Sequence, residues 1–499
     1  MPIPVTCTNC RSRFVARPEH AGRRGRCPKC KTILAIPNVV SEDAIQVGRS
    51  TAGRELAGGP AARSPDAKPL EREELLRRIV AAFEGRRVRV RPGILYRVGL
   101  LAVTAGMILL PVLYVALIAA VGWLICYHAV HNVDWITTIA GVRIGVFLYG
   151  APLVSGGIVI AFMIKPLFAP PARAWQPCSL FRDQEPLLFA FVECVRRALG
   201  APEPKRIDVD CQVNASASFR RGFRSLFGRD LVLTLGLPLV GALSVGELAS
   251  LLTHELAHFS QGVGMRLTYV IRRVNGWFAR VVYDRDQWDE TLAAWSEEES
   301  WMSLIALLAR FFVWLTRRVL WLLMVVGELI SATMLRQLEW HADRCAIHLA
   351  GSRAFERGRE KLVLLSVATD FAGQILNSAH RRGQLPDDYM VLTASIAGAI
   401  PDDVRRQIVA AHLSAKTGFF DSHPAAKDRV RHARALAAEG IFRSDLPATF
   451  LMSNFAMLSK AATRDMYRFN LRWLLKHVQL VPTSDLLTTL LRQTAHPSS

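Results

Sequence analysis

The sequence predicts an α+β protein, mostly α-helical and built into a membrane, with a small cysteine-pinned module at its N-terminus. Three observations lead there. Two long runs, Val98 to Tyr127 and Ile144 to Ile164, contain no Asp, Glu, Lys or Arg. Residues 166–300 mix short β-branched runs with helical patterns. Four of the nine cysteines fall as two C-x-x-C pairs within the first 37 residues.

Each charge-free run exceeds the ~20 residues needed to cross a ~30 Å hydrocarbon layer. Buried core helices seldom run so long without charge, so both are read as membrane spans over residues 98–165. The rest of the chain is highly charged, with 62 Lys+Arg against 42 Asp+Glu for a net charge of +20. Mean hydropathy is nonetheless positive, at +0.21. Charged soluble parts joined to apolar spans explain the combination. Much of the basic excess borders the spans: Arg86, Arg87, Arg89, Arg91 and Arg97 precede them, and Lys165, Arg173 and Arg182 follow. The positive-inside rule therefore puts both soluble flanks in the cytoplasm of a multi-pass cell (inner) membrane protein. Residues 1–37 are polar and do not read as a cleavable signal.

In order along the chain, residues 1–37 form the cysteine module and 38–70 a flexible linker rich in Gly, Ala, Pro and Ser. Residues 71–97 form a basic juxtamembrane helix, starting as a charged helix from Glu71 to Glu84. After the spans, Ile207–Cys211 and Asp230–Leu235 read as strands. Ser244 with Glu247 three residues on is a capping box, opening a helix expected to reach about Ser260 and to stop at Gly262 or Gly264. Residues 301–335 are apolar and membrane-associated but broken by Arg310, Arg317, Arg318 and Glu328, which argues against a clean crossing and leaves an interfacial or re-entrant helical pair as an equal reading. Helix continues through Glu339, and residues 352–499 read as mostly helical, 441–499 being a C-terminal helical region.

Within the capped helix stands His254-Glu255-Leu256-Ala257-His258, an H-E-x-x-H. Residues four apart share a helix face about 6 Å apart along the axis, so two imidazoles can hold one tetrahedral Zn²⁺. Glu255 lies one position round, placed to take a proton from a zinc-polarised water as it attacks a carbonyl. A catalytic zinc needs a third protein ligand. Downstream stands Glu339-Trp340-His341-Ala342-Asp343-Arg344. Here the chain resembles the HtpX-like and CAAX prenyl endopeptidase group, gluzincins of the metallopeptidase family numbered forty-eight. The resemblance implies a zincin-like metalloprotease domain over residues 166–440. It implies Glu339 as the third ligand and Asp343 as an acceptor orienting a zinc-bound imidazole. His341 competes as a ligand only in sequence, since positions two apart on a helix point about 200° apart.

The resemblance continues in Val213-Asn214-Ala215-Ser216-Ala217, similar to the family's edge strand that pairs with an extended substrate. It implies substrate contacts at Asn214 and Ala215. Ser422-His423-Pro424 through Arg429-Val430 resembles an H-P-x-x-x-x-R-[IV] element. That likeness places His423 and Arg429 near the site, stabilising an oxyanion or orienting a ligand. The same residues also read as a helix-capping His-Pro and a structural ion pair.

Cys7, Cys10, Cys27 and Cys30 fit a four-thiolate structural zinc site of the zinc-ribbon type. The expected complement is thus two Zn²⁺, one catalytic and one structural. The ribbon's arginines read as a solvated basic face in preference to a nucleic-acid site. No G-x-x-x-x-G-K-[ST] occurs, which argues against an intrinsic ATP-driven unfoldase. The expected function is a membrane-bound zinc endopeptidase acting on proteins or peptides. The alternative is an inactive or regulatory zinc-binding membrane protein whose ribbon binds a partner or nucleic acid.

Overall fold

The computed structural model describes residues 3–6, 13–16, 24–26, 33–35, 69–88, 90, 93–138, 142–168, 177–219, 230–260, 263–283, 301–414, 424–471 and 478–488. At the N-terminus β1 (Ile3–Thr6) pairs antiparallel with β2 (Arg13–Ala16), and β3 (Arg24–Arg26) with β4 (Ile33–Ala35). Each C-x-x-C falls in the stretch joining one such pair. Cys7, Cys10, Cys27 and Cys30 themselves lie outside the described residues.

Helix α1 (Pro69–Phe83) packs into the main core. Its Leu75, Ile79 and Phe83 are buried in the main core, and the Phe83 ring stacks on Phe442 at 5.3 Å. The apolar helices follow: α2 (Ile94–His131) and α3 (Val142–Ile164), containing the two charge-free runs. Most of their large side chains face outward, Leu101, Leu109, Leu113, Trp123 and Phe147 among them. Such a surface is stable in lipid and not in water.

A four-stranded sheet comes next, in the order β5-β6-β8-β7, from β5 (Cys178–Leu180), β6 (Pro204–Asp210), β7 (Ala215–Phe219) and β8 (Leu231–Gly236). Strand β6 runs parallel to β8, while β5 and β7 pair antiparallel at the two edges. Gly236 closes β8 where a Cβ would fall 1.8 Å from the Gln212 carbonyl oxygen, so only glycine fits. Helix α4 (Pro186–Leu199) is buried in the main core through Leu188, Phe191 and Val195, and the short α5 (Leu237–Ala242) leads into α6 (Val245–Ala257).

Helix α7 (Val263–Tyr283) is not among the helices expected from the sequence, although its apolar positions carry a clear helical period between Arg266, Arg272, Arg273 and Arg280. Its Ile271, Val274, Phe278 and Val281 follow helical spacing and are buried in a second core against α2. The stretch 301–335 is not a helical pair but part of one continuous helix, α8 (Trp301–Ala350), of 50 residues. The arginines do not break it: arginine is a good helix former, and Arg318 rests over the Trp314 ring at 5.3 Å. At ~1.5 Å rise per residue this helix is about 75 Å long, far more than a ~30 Å apolar layer can hold. It therefore joins the second core, through Leu320, Met324 and Leu335, to the main core, through Ala342, Cys345 and Leu349.

The C-terminal part is helical as expected: α9 (Ser352–Arg381), α10 (Tyr389–Gly398), α11 (Asp402–Ser414), α12 (Ala426–Leu436) and α13 (Phe455–Asp465). A short parallel pair, β9 (Gln384–Pro386) and β10 (Gln479–Val481), ties this region together. Among the described residues, four helical stretches are long and apolar enough to cross a membrane: Ile94–His131, Val142–Phe168, Arg310–Ala350 and Ser352–Arg381.

Candidate metal centre

Helix α6 begins as its sequence requires. Ser244 Oγ accepts from the Glu247 amide at 3.2 Å, and the Glu247 carboxylate accepts from the Ser244 amide at 2.9 Å. Lys361 Nζ, 2.7 Å from Glu247 Oε2, neutralises that buried carboxylate. The first turn is clamped from outside by the Val245 amide donating to the Leu446 carbonyl and Gly246 to Ser444. A side chain at Gly246 would meet the Ser444 oxygen at 2.8 Å. The helix ends at Ala257 with His258 as its C-cap, short of Ser260. Of the expected stop signals, Gly262 lies outside the described residues and Gly264 belongs to α7.

Fixed this way, α6 holds His254 and His258 one turn apart, both buried, with ring centroids 4.9 Å apart. Helix α8 crosses beside it and inserts Glu339, which is 1% exposed. His254 Nε2 lies 3.3 Å from Glu339 Oε2, and His258 Nε2 lies 3.6 Å from Glu339 Oε1. One ligand atom from each of the three residues lies within 4.8 Å of the other two. A tetrahedral zinc with ~2.1 Å bonds needs donor pairs about 3.4 Å apart, so the residues fit the ion.

The surroundings set the ring nitrogens. Asp343, one turn beyond Glu339 and fully buried, stands 3.0 Å from His254 Nδ1. That carboxylate accepts the Nδ1 proton, which leaves the Nε2 lone pair toward Glu339 and His258. Arg429 on α12 is also buried and grips Asp343 with both sides of its fork, Nε donating to Oδ2 at 2.6 Å and Nη2 to Oδ1. Burial disfavours a charged His254, but hydrogen bonds with Asp343 and Glu339 outweigh it and push the ring up to about 9. His258 is held well below its usual value by burial and by the neighbouring His254 charge. Burial raises the Glu255 carboxyl, with His254 opposing and Glu339 adding to the shift. Burial also works against the Arg429 charge, but Asp343 more than compensates and raises it.

Among the sequence-derived candidates, His254, Glu255, His258, Glu339, Asp343 and Arg429 are brought together here. Asn214 is exposed, and its carbonyl accepts from the Gly236 amide at 2.7 Å just before β7. Ala215 opens β7, an edge strand of the sheet. His341 points away, with Nε2 3.0 Å from the Val90 carbonyl. His423 lies outside the described residues. Sequence reasoning missed Arg272 on α7, whose Nη2 stands 3.0 Å from Glu339 Oε1. Nothing local marks it among the four arginines of that helix; only the packing of α7 against α8 brings it to the carboxylate.

Two imidazoles and one carboxylate leave a coordination position for water or substrate, which separates a catalytic zinc donor set from a closed structural one. The class these residues fit is that of zinc hydrolases. A sequence profile described as Peptidase family M48 matches residues 184–437, just over half of the 499 residues. The chain belongs to that family and is a zinc metalloprotease. No curated protein and no solved structure gave a match.

Proposed function

We propose that the protein is a membrane-bound endopeptidase that cleaves protein or peptide substrates on the cytoplasmic side of the cell (inner) membrane, without ATP. In this reading His254, His258 and Glu339 hold the zinc and Glu255 is the general base. Zinc, when bound, supplies Lewis acidity toward a carbonyl oxygen and toward water. Glu255 takes the proton of the attacking water and delivers it to the leaving amine. Its burial makes it a stronger base than a solvated carboxylate. Asp343 fixes the tautomer and orientation of His254, and Arg429 holds Asp343; both are positioning residues. His423 is retained as a second catalytic group for the developing oxyanion. An extended substrate pairs its main chain with the free side of β7, near Asn214 and Ala215.

One observation carries the reading. The Nε2 atoms of two histidines on one helix face the two oxygens of a single buried carboxylate from another, at 3.3 and 3.6 Å.

The domain assignment belongs to the same proposal: a ribbon over residues 1–37 holding a structural zinc on Cys7, Cys10, Cys27 and Cys30, a linker over 38–70, a basic segment over 71–97, spans over 98–165, the protease domain over 166–440 and a C-terminal region over 441–499. Two paired hairpins flanking the C-x-x-C sequences support the ribbon.

The test is purification in detergent, zinc analysis, and a casein cleavage assay on wild type beside Glu255→Gln. The variant is expected to retain the wild-type zinc content and to lose cleavage. Cleavage at the wild-type rate would remove Glu255 as the base.

A further inference from the structure

Helix α8 presents two unlike faces over one short stretch. Glu339 and Asp343, four apart, face α6 and α12. Gln337, Trp340, His341 and Arg344 follow the spacing 0, 3, 4, 7 and lie about 130° round, since each residue turns ~100°. This second face lines a cavity of about 470 Å³, which Gly93 and Tyr96 close from the start of α2 and His432 from α12.

The cavity lies where two apolar helices end. Helices α2 and α8 run antiparallel: Gly327 faces Leu110, Gly106 faces Ile330, and Gly99 faces Met334. Continued outward, that register brings Tyr96 to Gln337 and Gly93 to Trp340. The apolar part of α8 stops at Leu335, and the apolar part of α2 begins at Ile94. A tyrosine and a tryptophan at that depth are the usual occupants of a headgroup layer.

Its chemistry is cationic and incomplete. Among the described residues, no Asp or Glu lines the cavity. Arg344 is exposed and makes no ion pair among the described residues. His432 rests edge-on against Trp340, with centroids 5.2 Å apart, and its Nε2 is buried with no hydrogen-bond partner among the described residues. Arg97, the residue after Tyr96 on α2, is exposed and adds positive potential.

We propose that this cavity binds the phosphate of an anionic membrane phospholipid. Arg344 grips the phosphate oxygens with its fork, and Tyr96 and Trp340 flank the glycerol. The proposal rests on the membrane reading above and not on the identity of the general base.

The experiment uses the full chain, purified in a neutral detergent and stripped of lipid. Its melting midpoint is read with phosphatidylglycerol, with phosphatidylcholine and with inorganic phosphate. Phosphatidylglycerol is expected to raise the wild-type midpoint by several degrees and phosphatidylcholine to do much less. Arg344→Gln is expected to lose more than half of that shift, and Arg344→Lys to keep part of it. Unchanged midpoints of the lipid-free variants show that they fold. An equal shift from phosphatidylcholine, or a full shift in Arg344→Gln, overturns the proposal. An equal, Arg344-dependent shift from millimolar inorganic phosphate also overturns it, by assigning the cavity to a free anion. Continued need for detergent by Arg344→Gln separates loss of lipid binding from failure of the membrane reading.

Discussion

At the scale of single residues, the metal centre depends on a buried chain of charge running from Arg429 through Asp343 to His254. Removing one link leaves the others uncompensated. Asp343→Asn keeps the shape but weakens the hold on the Nδ1 proton, and is expected to cost about 10–100-fold in zinc affinity, measured by competition with a chelator. Arg429→Met leaves the Asp343 carboxylate buried without its fork, and is expected to destabilise the fold by about 3–5 kcal/mol in denaturant titrations. The histidines respond to pH in a defined direction. Without metal, burial opposes the His254 charge but Asp343 and Glu339 prevail, so the ring keeps a proton up to about 9. Zinc must displace that proton. Apparent affinity is therefore expected to rise by about tenfold per pH unit from 7 toward 9, with a shallower slope in Asp343→Asn. A flat profile would show that His254 is already neutral in the metal-free protein.

At the scale of elements, α6 is specified almost entirely by its own sequence. The Ser244–Glu247 box sets its start, and the H-E-x-x-H spacing then fixes which face meets the metal. Ser244→Ala is expected to lower stability by about 1 kcal/mol, read from the denaturation midpoint, because one amide of the first turn loses its acceptor. Helix α8 is the opposite case. Its arginines suggested a broken pair, since hydropathy treats each charge as an obstacle. In the folded chain those side chains sit among half-exposed and exposed neighbours at one end of a continuous rod. Helix α7 is amphipathic in its own sequence, but the tertiary packing decided that α2 and α8 cover its apolar face. Its Arg272 consequently reaches Glu339 without any signal in the surrounding sequence.

At the scale of the whole molecule, the main core with its sheet and the second core of apolar helices are joined by α8, which carries the acidic site residues where it enters the main core. The outward apolar surfaces of α2 and α3 predict that the protein stays with membranes through an alkaline carbonate wash and leaves them only in detergent. The arginine-rich flanks make a second expectation. A protease site inserted at 139–141, between α2 and α3, should be cut from outside intact spheroplasts, whereas sites near either terminus should be protected. The reverse pattern would invert the topology.

What the sequence determined alone were the features encoded by neighbours: the two charge-free spans, the capped helix with its paired imidazoles and adjacent carboxylate, and the thiol pairs at the N-terminus. These depend on spacing along a helix or on length against a bilayer, and both can be counted in the chain. Glu339 and Asp343 were legible only by likeness to a family, since nothing local says that a carboxylate 81 positions beyond His258 meets it. The tertiary structure alone decided the continuity of α8, the role of α7, the grip of Arg429 on Asp343 and the cavity behind the site. Each arises from contact between segments far apart in sequence, where burial and pairing with a distant partner, and not local propensity, select the conformation.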